Sequence, residues 1–241
     1  MSSSARLLWS PSETAETQMA HFAATVAADY GFEWKNDYHQ LWQWSVDKPE
    51  EFWSALWEWH GIIGDKGTRM IENPGKMPGT KFFPDATLNY AENMLSFDDR
   101  LRDIPALIAH GEDGRRTVLS RVDLRDKVLR LAGWMRARGV IKGDRVAGYV
   151  PNSEIALIAM LASASLGAIF SSCSPDFGIT GVTDRFGQIE PKILISINGY
   201  HYNGKIIDKR EVVAQLVDAL PSIEAVLIDF YLDDYRDISM I

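Results

Sequence analysis

Several absences narrow this chain before any motif is read. Its only cysteine, Cys173, excludes an intrachain disulfide and suits a reducing compartment. No two of the 18 glycines are separated by a single residue, and GxxxxGK followed by Ser or Thr does not occur, which excludes a GxG-type or Walker-type phosphate loop. The longest apolar run falls far short of a membrane span and no Met-basic-apolar signal opens the chain. The cytoplasm is therefore the expected compartment, and no membrane partner is expected. Positive charge is also scarce. The 25 Lys and Arg stand against 33 Asp and Glu, a formal charge of −8 that argues against nucleic acid as a partner. The five histidines show neither HxH nor HExxH spacing and CxxC is missing, so no protein-bound metal is expected.

What is present is an ordinary globular composition, 46% hydrophobic and 24% charged. A chain of 241 residues can bury about 70% of the surface its unfolded form exposes. Seven of the eight tryptophans lie before residue 60, which separates two compositional zones. In the first, Met1–Ser4 has the character of a disordered end and a helix is expected over Thr14–Tyr30. Pro49 suits the first turn of another helix running to His60. Trp53, Leu56, Trp57 and His60 recur there at helical spacing, with Phe52 and Trp59 widening the face. The Trp42–Trp59 block is thus expected as core, packed on residues 84–95 and the helices of the sheet, rather than as a carbohydrate- or peptide-binding face. Five glycines and two prolines between Gly61 and Thr80 mark a linker or a long surface loop.

The second zone alternates. Ala106–His110 and Arg116–Leu119 flank a Gly-Glu-Asp-Gly turn, and Ser120 with Asp123 resembles a capping box opening a helix to Arg138. Strands are then expected over Arg145–Val150, Ala168–Ser172, Lys192–Ile197 and Ala225–Phe230, with helices over Ser153–Leu166, Thr180–Glu190 and Lys209–Leu220. Short connections between them predict right-handed βαβ units. The expected fold class is α/β: a helical aromatic cap over residues 1–95, then a partial doubly wound parallel sheet over 96–241.

Ligands of open parallel sheets collect at the carboxyl ends of the strands. Ser171–Phe177 and Asn198–Lys205 follow two such strands, expected to be neighbours, which would put Ser172 and Lys205 on one rim. The first segment leads into the Thr180 helix, whose free N–H groups and dipole favour an anion. The second offers Lys205 to a phosphate, and Tyr200 and Tyr202 to a purine. The same residues also make ordinary turns with a solvated lysine, and spacing does not choose between the two. Cys173, expected in a turn without a nearby histidine, reads as a structural or merely reactive thiol. Asp98-Asp99 and Asp233-Asp234 read as solvated charges, so no catalytic residue is assigned.

Longer runs carry a resemblance. Ser171-Ser172-Cys173-Ser174-Pro175-Asp176-Phe177-Gly178, Asp184–Pro191 and Gly199–Lys205 are similar to the acetoacetyl-CoA synthetase family, within the acyl-adenylate-forming superfamily. So are Leu41–Val46 with Phe52-Trp53, and Phe83-Pro84 through Leu88–Leu95. Gly143–Ala147, Pro151-Asn152 and Ala164–Ala168 fit the superfamily more broadly. The resemblance implies an adenylating-enzyme sheet and a ligase that activates acetoacetate with Mg-ATP and passes it to CoA. It implies no catalytic residue here: the phosphate loop, the adenine pocket and the distal lysine of that family are missing. The chain is accordingly expected to be an inactive N-terminal portion that binds none of ATP, CoA or Mg2+ tightly. In related acetyl-CoA synthetases the turn matching Ser171-Ser172 and two arginines approach the nucleotide end of CoA. Those arginines fall on Tyr202 and Lys205, so Ser172, Tyr202 and Lys205 are the cofactor-binding candidates. Another short-chain (acetyl or propionyl) synthetase, or a non-catalytic CoA- or protein-binding module, are the alternatives.

Overall fold

The computed structural model describes Arg6, Leu8, Trp9 and residues 16–241. Met1–Ser4 and the first two residues of the helix expected from Thr14 lie outside the described residues. The chain divides into two compact units between Leu88 and Asn89.

The first unit is built on three helices, α1 (Gln18–Tyr30), α2 (Tyr38–Asp47) and α3 (Pro49–Trp59). Each start has a local cause. The Thr17 hydroxyl accepts from Ala20 N, the Asp37 carboxylate accepts from His39 N, and Pro49 opens α3 with Glu50 and Glu51 in its first turn. Gly31 closes α1 in the left-handed region at φ 73°. Phe22, Ala23, Val26, Leu41, Trp44 and Ala55 form the core. Trp44 stacks on Phe32 with ring centroids 4.7 Å apart and donates its indole N–H to Glu51.

The tryptophan block is only partly core. Trp44 is 6% exposed, but Trp53 is 41% exposed, and Trp42 and Trp59 are exposed as well. Three short helices enclose one small core, which Phe22, Trp44 and Ala55 already fill, so the wider aromatic face spills onto the flanks. Trp53 and Trp57 rest against Phe82 and Phe83, at 5.4 and 5.2 Å. The glycine- and proline-rich stretch carries the first two of four two-residue strands, β1 (Gly64–Asp65), β2 (Ile71–Glu72), β3 (Lys81–Phe82) and β4 (Thr87–Leu88). These pair antiparallel as β1 with β4 and β2 with β3.

The second unit opens with α4 (Tyr90–Leu95), capped by Asn89, whose amide also donates to the Ala164 carbonyl. The hairpin β5 (Pro105–His110) and β6 (Arg116–Ser120) leads into α5 (Arg121–Ala137) through the expected Ser120–Asp123 capping box. Then follow β7 (Arg145–Tyr149), α6 (Glu154–Ser165), β8 (Ile169–Cys173), α7 (Ile179–Gly187), β9 (Ile193–Ile197), the hairpin β10 (Gly199–Tyr202) and β11 (Lys205–Asp208), α8 (Arg210–Ala219) and β12 (Ala225–Asp229). The four main strands are all parallel, in the order β12-β9-β7-β8.

One core cluster joins α5 and α6 to Val146, Ile193 and Ile195; the other joins α7 and α8 to Ala147, Tyr149 and Leu194. Alternate residues of each strand thus feed opposite layers, and every residue of β9 is buried. This is the expected doubly wound arrangement. The expected adjacency of the strands before Ser171–Phe177 and Asn198–Lys205 does not hold: β7 lies between β8 and β9. The crossover through α7 returns the chain past β7, which creates a switch point where connections leave in opposite directions. A crevice opens at the carboxyl side of such a point.

Candidate nucleotide-binding crevice

At the carboxyl edge of the sheet lies a cavity of about 350 Å³, entirely within the second unit. Four segments line it: His110–Glu112 at the β5–β6 turn, Val150–Asn152 after β7, Ser172–Asp176 at and beyond the end of β8, and Tyr200–Tyr202 of β10, with Tyr231 after β12.

Tyr149, the last residue of β7, is fully buried, and its hydroxyl lies 2.9 Å from the Pro175 carbonyl and 2.8 Å from that of Phe177. It pins the turn after β8. Burial, reinforced by the Asp176 carboxylate, pushes its hydroxyl up to about 12. The same turn is held from the hairpin side. Tyr200 donates its hydroxyl to Asp176 Oδ1, and Ser174 donates to Asp176 Oδ2 at 2.9 Å. Burial and that bond to Asp176 raise the Tyr200 hydroxyl above the usual phenol range. Lys209 sits 5.8 and 5.7 Å from the Tyr149 and Tyr200 ring centroids, and burial lowers its ammonium from the ordinary lysine value.

The opposite wall is fastened by charge. Glu112 accepts from the Asn203 backbone N–H at 2.7 Å, tying one hairpin turn to the other. Arg115 pairs with Asp113, donates to the Tyr231 carbonyl and lies 4.5 Å from the Tyr231 ring centroid. Hydrogen bonding from Arg115 holds the Asp113 carboxyl below the usual range. Behind the site the buried Asn198 amide donates to the Leu232 and Tyr235 carbonyls and accepts from Leu232 N, anchoring the segment after β12.

Of the three candidates, Ser172 and Tyr202 line the cavity. Lys205 stands opposite Tyr202 in the hairpin register, exposed and outside the lining. The N terminus of α7 at Gly178 is likewise outside the lining, so the anion site expected there is not part of this cavity. Cys173 is not in a turn: it ends β8, buried, and burial raises its thiol. Tyr149, Asp176, Glu112 and Asn198 carry much of the geometry without having been singled out by the sequence.

One missed signal was available. Asn203-Gly204, both with positive φ at 49° and 72°, is the two-residue turn of a tight hairpin, yet Asn198–Lys205 reads by composition as a loop. Gly199–Lys205 also has the two glycines and the lysine of a phosphate loop by spacing, with Ile206 where Ser or Thr belongs. Its antiparallel hairpin is not the strand–loop–helix which that motif requires. Among the described residues no group of three or more His, Cys, Asp or Glu could hold a metal, and no helix is long and apolar enough to cross a membrane.

The crevice lies at the switch point of a doubly wound sheet and is lined by tyrosines and turn backbone. Residues 97–237 match the model of the AMP-binding enzyme family, and residues 38–94 that of the acetyl-coenzyme A synthetase N-terminus. The chain belongs to the AMP-binding enzyme family. It is similar to the acetoacetyl-CoA synthetase of Macaca fascicularis, 39% identical over 238 residues, which are 98% of this chain and 35% of that protein. The acetoacetyl-coenzyme A synthetase of Rhizobium meliloti (strain 1021) is 42% identical over 217 residues, 89% of this chain and 33% of that protein. The solved acetoacetyl-CoA synthetase from Streptomyces lividans superposes with a TM-score of 0.85 at 39% identity, covering 91% of this chain and 34% of that one. The chain therefore spans about a third of the length of the curated relatives it matches.

Proposed function

We propose that this chain is the N-terminal part of a cytoplasmic acetoacetyl-CoA synthetase, with residues 1–95 as its cap and linker and 96–241 as the first part of its AMP-binding domain. The supporting observation is the 39% identity to acetoacetyl-CoA synthetases across nearly all of the chain, from the tryptophan block to the crevice. In the complete reaction the acetoacetate carboxylate attacks the α-phosphorus of ATP, giving the acyl-adenylate and pyrophosphate. The CoA sulfur then attacks the acyl carbon, and AMP leaves with the bonding electrons while the thiol proton is lost. Mg2+ belongs to the ATP substrate, and among the described residues no group of three or more His, Cys, Asp or Glu could hold it.

The part assigned to this chain is to hold the nucleotide end of CoA. Ser172 and Tyr202 line the crevice and Lys205 stands beside Tyr202. Ser172 is held within β8 by its pairing with Gly148, and Tyr149 and Tyr200 fix the turn that follows. Titration calorimetry on the purified chain is expected to show CoA binding that Ser172→Trp, which fills the crevice, abolishes. Binding unchanged by Ser172→Trp would remove the reading.

A second measurement addresses the chemistry. Removing one well-placed electrostatic donor costs a factor of about 10²–10³ in rate. No phosphate-cradling glycine loop occurs anywhere in these residues. Acetoacetate-dependent exchange of labelled pyrophosphate into ATP is therefore expected to be at background for this chain alone. Clear exchange would reveal a catalytic site among residues to which none is assigned.

A further inference from the structure

The crevice is the wrong sign for a phosphate. None of its lining residues is a lysine or an arginine, and two, Glu112 and Asp176, are carboxylates. Both acids are held in place: Glu112 by the Asn203 N–H, Asp176 by Tyr200 and Ser174. Each carboxylate oxygen can accept two hydrogen bonds, so acceptor capacity remains on both groups.

The nearby cations are otherwise engaged. Arg115 is committed to Asp113 and to the carbonyl and ring of Tyr231. Lys209 lies over the rings of Tyr149 and Tyr200 and is outside the lining. Of the two histidines in the lining, His201 already faces Asp113, Nε2 to Oδ2 at 3.7 Å. Lys205 is exposed on the far strand of the hairpin, where a single solvated ion pair changes affinity by about fivefold or less. Against this the crevice offers the exposed ring of Tyr202, the partly exposed ring of Tyr231 and two carboxylates, which suit an aromatic base bearing an exocyclic amine.

We infer that this crevice recognises the uncharged, amine-bearing base of a nucleotide and does not select for a terminal phosphate monoester. The inference rests on the reading of the crevice as the CoA rim and adds a specificity to it: CoA and 3′-dephospho-CoA are near-equivalent ligands. A doubly charged monoester placed among Glu112 and Asp176 meets like charge, and the exposed lysine outside does not compensate.

The test is calorimetric titration of the purified chain with CoA and with 3′-dephospho-CoA in low-salt buffer, where any phosphate contribution is largest. The expected result is two affinities within about fivefold of each other, the limit set by one exposed lysine. A larger preference for CoA overturns the inference and leaves the CoA reading intact. Failure of both ligands at millimolar concentration overturns both. Glu112→Gln supplies a readout that a purely structural role would not move. Both ligands share the base contact, so the readout is their ratio, which is expected to tilt toward CoA by about twofold to fivefold once the carboxylate charge is gone. Equal weakening of both ligands, or an unmoved ratio, removes Glu112 as a source of the indifference to phosphate.

Discussion

The two units reach stability by different routes. In the first, three helices of 10–13 residues and four strands of two residues share a small core, and several large aromatics stay at the surface. In the second, a central strand is buried along its whole length and separates two apolar layers. A sheet with helices on both faces buries alternate residues in opposite directions, so a short strand contributes to two cores at once. A bundle of three short helices has one core, and residues beyond its width remain half in water. Helical periodicity therefore overstates burial in a small bundle, whereas an apolar run flanked by helical segments reports it faithfully.

Substitutions that contrast the units sharpen this difference. The largest effect is expected at Ile195, fully buried in the middle of β9, where Ile195→Ala should cost about 2–5 kcal/mol of stability. Urea unfolding followed by circular dichroism measures it, and a cost below 1 kcal/mol, on the order expected for a surface change, would mean the sheet is not the better-packed region. Next is Asn198→Ala, which leaves the Leu232 N–H and the Leu232 and Tyr235 carbonyls without their side-chain partner. The expected cost is about 1–3 kcal/mol, with faster hydrogen exchange at Leu232. Unchanged exchange there would show that the segment after β12 is held by other contacts. The smallest effect belongs to the first unit. Trp53→Ala removes an exposed indole whose main aromatic neighbours are Phe52 and Phe82, and should cost about 0.5–1.5 kcal/mol. A loss as large as that at Ile195 would place Trp53 in a core after all.

Much of the second unit is legible in the sequence. The Ser120–Asp123 capping box, the strand at Arg145 and the helix ending before Gly167 depend on neighbours a few residues apart. The crevice was legible in part. The strand-end argument points to Ser172 and Lys205 and the family likeness adds Tyr202; Ser172 and Tyr202 line the crevice, whereas Lys205 stands outside it. Asp176 and Glu112 were not expected, because each acquires its position from a partner far along the chain, 24 residues away at Tyr200 and 91 residues away at Asn203. No local pattern encodes such a pairing.

Strand order marks the same boundary. Local propensity, capping and apolar periodicity are written in adjacent residues, so the succession of elements, the α/β class and the family likeness could be read from the chain directly. Which strand lies beside which is different. It follows from how α7 carries the chain back over β7 to seat β9, and that choice depends on the fit of whole layers rather than on any short segment. The crevice, its acidic lining and the exposure of Trp53 are consequences of that packing, and only the folded molecule decides them.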